Sequence, residues 1–307
     1  MSSLIHFISG PTGIGKSDLA IKLAKKINGK IINADSMQVY ENLNILTARP
    51  SEKDLNEVEH KLYGHIPGSE RYNVANWCKE ASSFINQFSK KNIPVIFVGG
   101  TGMYIEKLIN GIVDIPSIPE EYKLKSEKKL AKVGIKDFYK LVYDIDKEAT
   151  KKINPNDINR LKRIWEVFSY TKIQFSEWTR NKSKYFITSS DYLLYLFLPD
   201  RKKNYQRVEK RFINMIKKGA IPEVEKLLKL NLDNSLPIMR AHGVPEISLF
   251  LQKKINLDEC IAKAQQVTRN YVKRQHTWWN SSNLRIQQKI TEFPDQYDPN
   301  SLNFNQI

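Results

Sequence analysis

The chain has 307 residues, 41% of them hydrophobic and 27% charged, with a formal net charge of +16. That length accommodates one large domain or a core with an insert, and the composition is that of a globular protein, which excludes fibrous and disordered classes. No apolar run approaches the roughly 20 residues of a membrane span, and Cys78 and Cys260 fit no metal or redox spacing.

A basic surplus of this size suggests a polyanionic partner larger than a nucleotide. The chain is also rich in Lys, Asn and Ile, so compositional bias can produce the same charge. The start, Met1-Ser2-Ser3-Leu4, has no basic stretch before its apolar segment, which leads to the expectation of a cytoplasmic protein without a membrane anchor.

The apolar run Leu4 to Ile8 reads as a strand, and Leu19, Ala20, Leu23, Ala24 and Ile27 read as a helix. Between them lies Gly10-Pro11-Thr12-Gly13-Ile14-Gly15-Lys16-Ser17, a G-x-x-x-x-G-K-S loop. Its glycines let backbone N–H groups curl around phosphate oxygens, and the following helix adds its positive N-terminal end. Lys16 supplies a mobile charge for the phosphates and the Ser17 hydroxyl a ligand for Mg²⁺. Gly10 to Ser17 is therefore expected to bind a di- or triphosphate.

A second strand, Lys30 to Ala34, ends at Asp35-Ser36-Met37-Gln38, and strand ends of a parallel α/β sheet face the ligand crevice. Asp35 is expected to face the phosphate loop, although a helix cap or a carboxylate near the Mg²⁺ would also suit the position. Asn73 to Lys90 is an amphipathic helix. A third strand, Ile93 to Val98, ends in Gly99-Gly100-Thr101-Gly102, and a helix follows from Met103 to about Asn110. An ATP-hydrolysing phosphate-loop protein usually has an aspartate where this strand ends. Glycine at that position argues against an ATPase motor.

Asp114 to Pro119 reads as a linker, followed by about seventy lysine-rich residues of helical pattern. Among them, Ile158 to Tyr170 carries Arg160, Lys162 and Arg163 beside Leu161, Ile164, Trp165 and Phe168. A strand resumes at Tyr192 to Leu198. The next helix puts Arg207 and Arg211 on one face, as a phosphate clamp or as a solvated basic face. Gly219 is read as a helix stop before a helix from Glu223 to Leu230. Leu257 to Asn280 is a long helix whose Arg269, Lys273, Arg274, Trp278 and Trp279 suit RNA contact, or whose tryptophans belong to the core. The last twenty residues, rich in Asn and Gln and without periodicity, are expected to be loosely ordered.

The fold expected is α/β, a P-loop NTPase-like core with a parallel sheet flanked by helices, plus an inserted α-helical domain. The core is assigned to residues 1–114 and 190–307 and the insert to 115–189.

At this point the chain resembles the tRNA dimethylallyltransferases, also called tRNA isopentenyltransferases, through an ordered series of motifs along nearly its whole length. They are the phosphate loop, Ala34 to Tyr40, Thr47-Ala48-Arg49-Pro50, Val98 to Tyr104 and Asn154-Pro155-Asn156-Asp157, then Arg211-Phe212, Met239 to Gly243 and Lys273 to Trp278. The resemblance implies transfer of a dimethylallyl group from dimethylallyl diphosphate to N6 of the adenosine 3′ of the anticodon; Mg²⁺ at Ser17 is the expected cofactor, and with no oligomer signal in the sequence a monomer is the default. In the family, the residue matching Asp35 takes a proton from that amine, Thr101 helps hold the adenine, and Arg211 with the phosphate loop holds the diphosphate. Asp35, Ser36, Met37, Gln38 and Thr101, together with Lys123, Asn159, Arg160, Leu161, Lys162 and Arg163 on the insert, are expected at the tRNA anticodon stem-loop. The chain departs from the family at Met37, often Arg or Ala, at Asn159, often basic or Gln, and at His242-Gly243-Val244-Pro245, where apolar-Gly-Tyr-Lys is usual.

Overall fold

The computed structural model describes residues 5–180, 186–187 and 192–302. It divides into two compact units, one formed by Met1–Ile109 with Phe186–Ile307 and one by Asn110–Tyr185. The expected domain boundary at 189/190 and the expected start of the first strand at Leu4 lie outside the described residues.

The first unit begins with β1 (Ile5–Ser9), α1 (Lys16–Ile27), β2 (Lys30–Asn33), α2 (Glu52–Glu57), β3 (His60–Lys61), α3 (Val74–Ser89), β4 (Val95–Gly99) and α4 (Gly102–Asn110). After the second unit it continues with β5 (Tyr192–Phe197). Strands β1, β4 and β5 are buried along their full length, as parallel strands covered on both faces must be. The six-stranded sheet has the order β3-β2-β4-β1-β5-β6 and every pairing is parallel. In it, β6 is the short strand Gln288–Ile290.

Strand β1 lies between two strands that come later in the chain, with Phe7 opposite Phe97 on one side and Leu194 on the other. The ends of β1, β2 and β4 emerge at one edge of the sheet, where parallel α/β folds place their ligands. Among the side chains held there, Trp77 of α3 is fully buried and its indole Nε1 donates to the Asn33 carbonyl oxygen at 2.8 Å. Burying a side chain of that size contributes roughly 1.5–3 kcal/mol.

Helices α9 (Arg201–Lys217), α10 (Ala220–Leu228), α11 (Val244–Leu251) and α12 (Leu257–Asn280) build a second core of the same unit. Phe212, Val224, Ile247 and Ala264 pack there with Val39, Tyr40 and Leu46. Helix α10 begins three residues before the expected Glu223. Gly219 is left-handed at φ 104° and caps it, which puts Pro222 in the first turn, where its missing N–H costs nothing. Helix α12 has the expected limits, with Asn256 and Glu259 forming a capping box. Of its tryptophans, Trp279 belongs to the core at 2% exposed, and the half-buried Trp278 packs against Gly102, where a Cβ would stand 2.0 Å from the indole.

The expectation of a loosely ordered C-terminus is corrected for residues 288–302. Strand β6 pairs with β5, and Leu198 N donates to Ile290 O at 2.8 Å. Ile290, Phe293 and Leu302 are buried in the core cluster around α1. Their spacing has no helical or strand period, because each is an isolated anchor on irregular chain.

The second unit consists of α5 (Glu120–Ile145), interrupted at Gly134 (φ 73°), α6 (Lys147–Lys151), α7 (Ile158–Thr171) and α8 (Phe175–Arg180). It has its own core of Phe138, Val142, Leu161 and Ile164. The buried Asp146 carboxylate joins three helices, following α5 and accepting from Ala149 N at 3.0 Å and Ser176 N at 2.7 Å. Among the described residues no helix is long and apolar enough to cross a membrane.

Candidate active site

The phosphate loop links β1 to α1. Gly13 is left-handed (φ 81°) and a Cβ there would stand 2.4 Å from Val208 Cγ1, so the loop requires glycine for both shape and space. Ile14 is fully buried and anchors the loop in the core, and Pro11 has no N–H to offer. The Thr12 amide already donates to Gln275 Oε1 at 2.9 Å. The loop amides left for an anion to meet are therefore those from Gly13 to Ser17, at the open N-terminus of α1.

Lys16 Nζ donates to the carbonyl oxygens of Gly10 (3.0 Å) and Pro11 (2.7 Å). Burial pulls its pKa down to about 7; Asp35 opposes that shift and Arg211 adds to it. A lysine held this way gains charge when an anion arrives.

Asp35 follows β2 in a turn built by its neighbours. Asn33, fully buried, accepts from Asp35 N at 2.8 Å and donates to Asp35 O and Leu62 O, both at 2.9 Å. Asp35 Oδ1 then accepts from Met37 N at 2.9 Å, an Asx turn that fixes the carboxylate. Its Oδ2 has no hydrogen-bond partner among the described residues.

Gly99 ends β4, and a Cβ there would stand 2.1 Å from Ala34 O. The backbone of the β2 end fills the space a side chain would need, which accounts for the missing aspartate. Two residues later, Thr101 Oγ1 accepts from Ser36 N at 3.1 Å. Gln275 of α12 joins this segment to the phosphate loop, since its Oε1 accepts from Thr12 N while its Nε2 donates to Gly100 O at 2.9 Å. The C-terminal helix thus ties together the ends of β1 and β4.

On α9, Arg211 Nη2 donates to Thr12 Oγ1 at 2.9 Å. Burial lowers the Arg211 pKa against the opposing charge of Asp35. Glu223 at the start of α10 accepts from three successive amides, Asn44, Ile45 and Leu46, at 2.6, 2.7 and 3.0 Å. That carboxylate shapes the Leu46-Thr47 loop, which Gln38 fastens from the other side by donating to Thr47 O and Ala48 O, both at 2.9 Å.

Two cavities meet among these residues. The smaller, about 290 Å³, is lined by Gly13, Gly15, Lys16, Ser17 and Gly99. The larger, about 410 Å³, is lined by Ser36, Phe212, Met215, His242 and Tyr271. Thr12, Asp35, Thr47 and Arg211 belong to both walls. The carboxylate and the arginine expected to carry the chemistry therefore stand where the cavity over the glycine-rich loop meets a roomier, partly apolar one. His242 lies edge-on to Tyr271 with ring centroids 4.6 Å apart. Burial, then the Arg274 charge, lower its pKa to about 4, against Asp35, so its imidazole is neutral at physiological pH.

Mg²⁺ fits this site only in sparse form. Ser17 Oγ is exposed beside Lys16 on the cavity wall, and among the described residues no group of three or more His, Cys, Asp and Glu side chains could hold a metal. That is the donor set of a hydrated ion shared with substrate phosphates, since Mg²⁺ is rarely held in an all-protein cage.

The residues expected on the RNA side of the second unit divide by environment. Asn159 and Arg160 are exposed on α7, with Arg160 Nε 3.2 Å from Asp157. Lys162 pairs with Glu127 at 2.8 Å and Lys123 with Glu120 at 2.7 Å, while burial lowers the Arg163 pKa. Leu161 is corrected: it is fully buried in the unit's own core and presents no side chain to a partner. Asn33, Glu223, Tyr271 and Gln275 are not assigned to the site by the sequence, and His242 enters there only as a departure from the family pattern; His242 and Gln275 lie inside the Met239–Gly243 and Lys273–Trp278 motifs, which was the available signal.

The IPP transferase family model matches residues 38–282, and an isopentenyl transferase model matches residues 3–63. A tRNA dimethylallyltransferase of Pelagibacter ubique is 41% identical over 276 residues, covering 90% of this chain and 88% of that protein. One from Ehrlichia chaffeensis is 41% identical over 279 residues, covering 90% of each. Among solved structures, a eukaryotic dimethylallyltransferase acting on tRNA superposes with a TM-score of 0.75 at 28% identity, over 91% of this chain and 70% of that one. A tRNA isopentenylpyrophosphate transferase from Bacillus halodurans gives 0.67 at 27%, over 95% and 91%. With a family model spanning most of its length and relatives this similar over nine-tenths of it, the chain belongs to the IPP transferase family.

Proposed function

We infer that this protein is a tRNA dimethylallyltransferase. It moves the dimethylallyl group of dimethylallyl diphosphate to N6 of the adenosine 3′ of the anticodon, position 37, in tRNAs reading codons that begin with U. The products are N6-dimethylallyladenosine and diphosphate. The observation that carries this reading is the position of Asp35 and Arg211 on the walls of both cavities. A group there can touch the leaving diphosphate and the incoming base in the same step.

In that step the N6 lone pair forms a bond to C1 of the dimethylallyl group as the C1–O bond breaks, and the electron pair leaves with the diphosphate. Lys16, Arg211 and the amides from Gly13 to Ser17 stabilise the charge that collects on the diphosphate, the largest contribution expected of such a site. Ser17 would help hold Mg²⁺, which would supply further neutralisation of the leaving group. Asp35 Oδ2 accepts the N6 proton, while the Met37 amide holds Oδ1. Thr101, behind the Asp35–Ser36 turn, keeps the turn in place for the adenine.

The adenosine must leave its stack to reach Asp35, which costs on the order of a few kcal/mol. Lys123, Asn159, Arg160, Lys162 and Arg163 of the helical unit, with Ser36, Met37 and Gln38, are the groups proposed to offset this through RNA contacts. The protein is proposed to act as a monomer.

The test is incubation with dimethylallyl diphosphate labelled in its prenyl group, offered with either an anticodon stem-loop RNA or AMP. Label is expected in the RNA, at the single adenosine 3′ of the anticodon. Label in AMP with unlabelled RNA would overturn the choice of acceptor.

A further inference from the structure

Arg207 lies one turn before Arg211 on the same face of α9 and has no part in the mechanism above. Arg207 and Asp295 both line the smaller cavity with Lys16 and Ser17. Arg207 Nη1 donates to Asp295 Oδ1 at 3.0 Å and Oδ2 at 2.9 Å, and its Cζ lies 3.6 Å from the centre of the Phe293 ring. Asp295 Cβ is 3.3 Å from where a Cβ on Gly15 would stand, so the C-terminal segment passes directly over the loop where α1 begins.

One turn earlier, Asn204 is fully buried, and both of its amide atoms lack a partner among the described residues. Its Oδ1 would be 3.6 Å from a Cβ on Gly13. Helix α9 therefore faces the phosphate loop with an uncommitted amide and two guanidinium groups.

A half-exposed ion pair contributes little to stability, and a simple latch for the chain end would need neither the stacking nor the position on the cavity wall. Ring stacking covers one face of the guanidinium, and the carboxylate engages Nη1 alone. The Nε and Nη2 donors of a rigid, always-charged fork remain, and that fork matches phosphate oxygens. Because Asp295 is matched by Arg207, the pair brings no net negative charge to the anion.

We propose that Arg207 is a second diphosphate-binding guanidinium, held in its working orientation by Asp295 and Phe293 of the C-terminal segment. This rests on reading the smaller cavity as the diphosphate site. Arg211 reaches that site from the Thr12 side and Arg207 from the Gly15 side, so the two would grip opposite ends of one anion. The C-terminal segment thereby becomes part of the substrate site.

The test is calorimetric titration of the full-length protein with inorganic diphosphate, with and without Mg²⁺, after a thermal melt of each variant. Arg207→Gln is expected to weaken diphosphate binding by at least tenfold, and Arg207→Lys by nearly as much, because an ammonium lacks the fork. Should Arg207→Gln not fold, Arg207→Lys, which retains a cation for Asp295, carries the test. Asp295→Asn and Phe293→Leu should each weaken binding about three- to tenfold, as loss of positioning interactions does. Neither should have any further effect when combined with Arg207→Lys. RNA binding should be unchanged throughout.

Folded Arg207 variants that bind diphosphate within twofold of the natural protein would overturn the proposal. So would an Asp295→Asn effect that adds in full to that of Arg207→Lys, or that appears only with Mg²⁺, which would make Asp295 a metal contact. Lys16→Met and Arg211→Gln separate the two readings. If they abolish binding and the Arg207 variants do not, only this inference fails. If the natural protein itself binds no diphosphate, the proposed function fails with it.

Discussion

Replacing Asp35 by Asn tests the proton-transfer step with little disturbance of the fold. In the native turn Oδ1 accepts from Met37 N at 2.9 Å, and an asparagine carbonyl oxygen can keep that bond. The bonds from Asn33 run to the Asp35 backbone and do not sense the change. What is lost is the second oxygen, which an amide nitrogen cannot replace as a proton acceptor. General-base catalysis contributes about 10²–10⁴, or roughly 3–5.5 kcal/mol at 1.36 kcal/mol per decade. Single-turnover transfer from labelled dimethylallyl diphosphate to an anticodon stem-loop should slow by that factor. Filter-binding affinity for the same RNA should stay within a fewfold, because one side-chain oxygen of a large interface has changed. A rate within tenfold of the natural protein's would show that the proton leaves by another route. Loss of RNA binding would show that Asp35 holds the acceptor and does not serve as its base.

Gln275→Leu leaves Thr12 N–H and Gly100 C=O unpaired in a buried place, each costing about 1–3 kcal/mol. Urea unfolding should register the loss, and Gln275→Glu, which still accepts from Thr12 N, should recover part of it. Lys16, with its pKa pulled down to about 7, must be protonated to hold an anion. The free protein loses that charge as pH rises through about 7, while bound diphosphate raises the pKa again. Diphosphate affinity measured against Lys16→Arg should therefore fall between pH about 7 and 9, by up to roughly tenfold per unit, with proton uptake on binding. An affinity ratio flat in pH would refute the shift. Leu161→Ala should destabilise the helical unit by about 2–5 kcal/mol and leave diphosphate binding intact. Arg160→Ala should spare stability but weaken RNA binding and flatten its salt dependence, as loss of one phosphate contact does.

Much of this site can be read from the sequence because its parts follow strand ends in order. The phosphate loop, Asp35 and Thr101 each come within a few residues of a buried apolar run, and a parallel sheet brings such ends to one edge. The helix carrying Arg211 is legible by periodicity, and its side chain does reach Thr12. What periodicity cannot disclose is a bond across the chain. Gln275 meets Thr12 over a separation of 263 residues, and Glu223 meets Ile45 over 178. Strands β3 and β6 have two and three residues and too little pattern to register. Leu161 misleads for the opposite reason: it shares a basic run with exposed neighbours, and the helical turn rotates it inward.

The crowding at Gly99 limits what this scaffold can become. At the strand end where nucleotide-hydrolysing phosphate-loop proteins usually carry an acid, Ala34 O leaves only 2.1 Å for a new atom. No acidic side chain fits there without displacing the neighbouring strand end, and with it the turn that presents Asp35. Sterics thus close this position to the acid that would turn the phosphate cavity toward triphosphate cleavage.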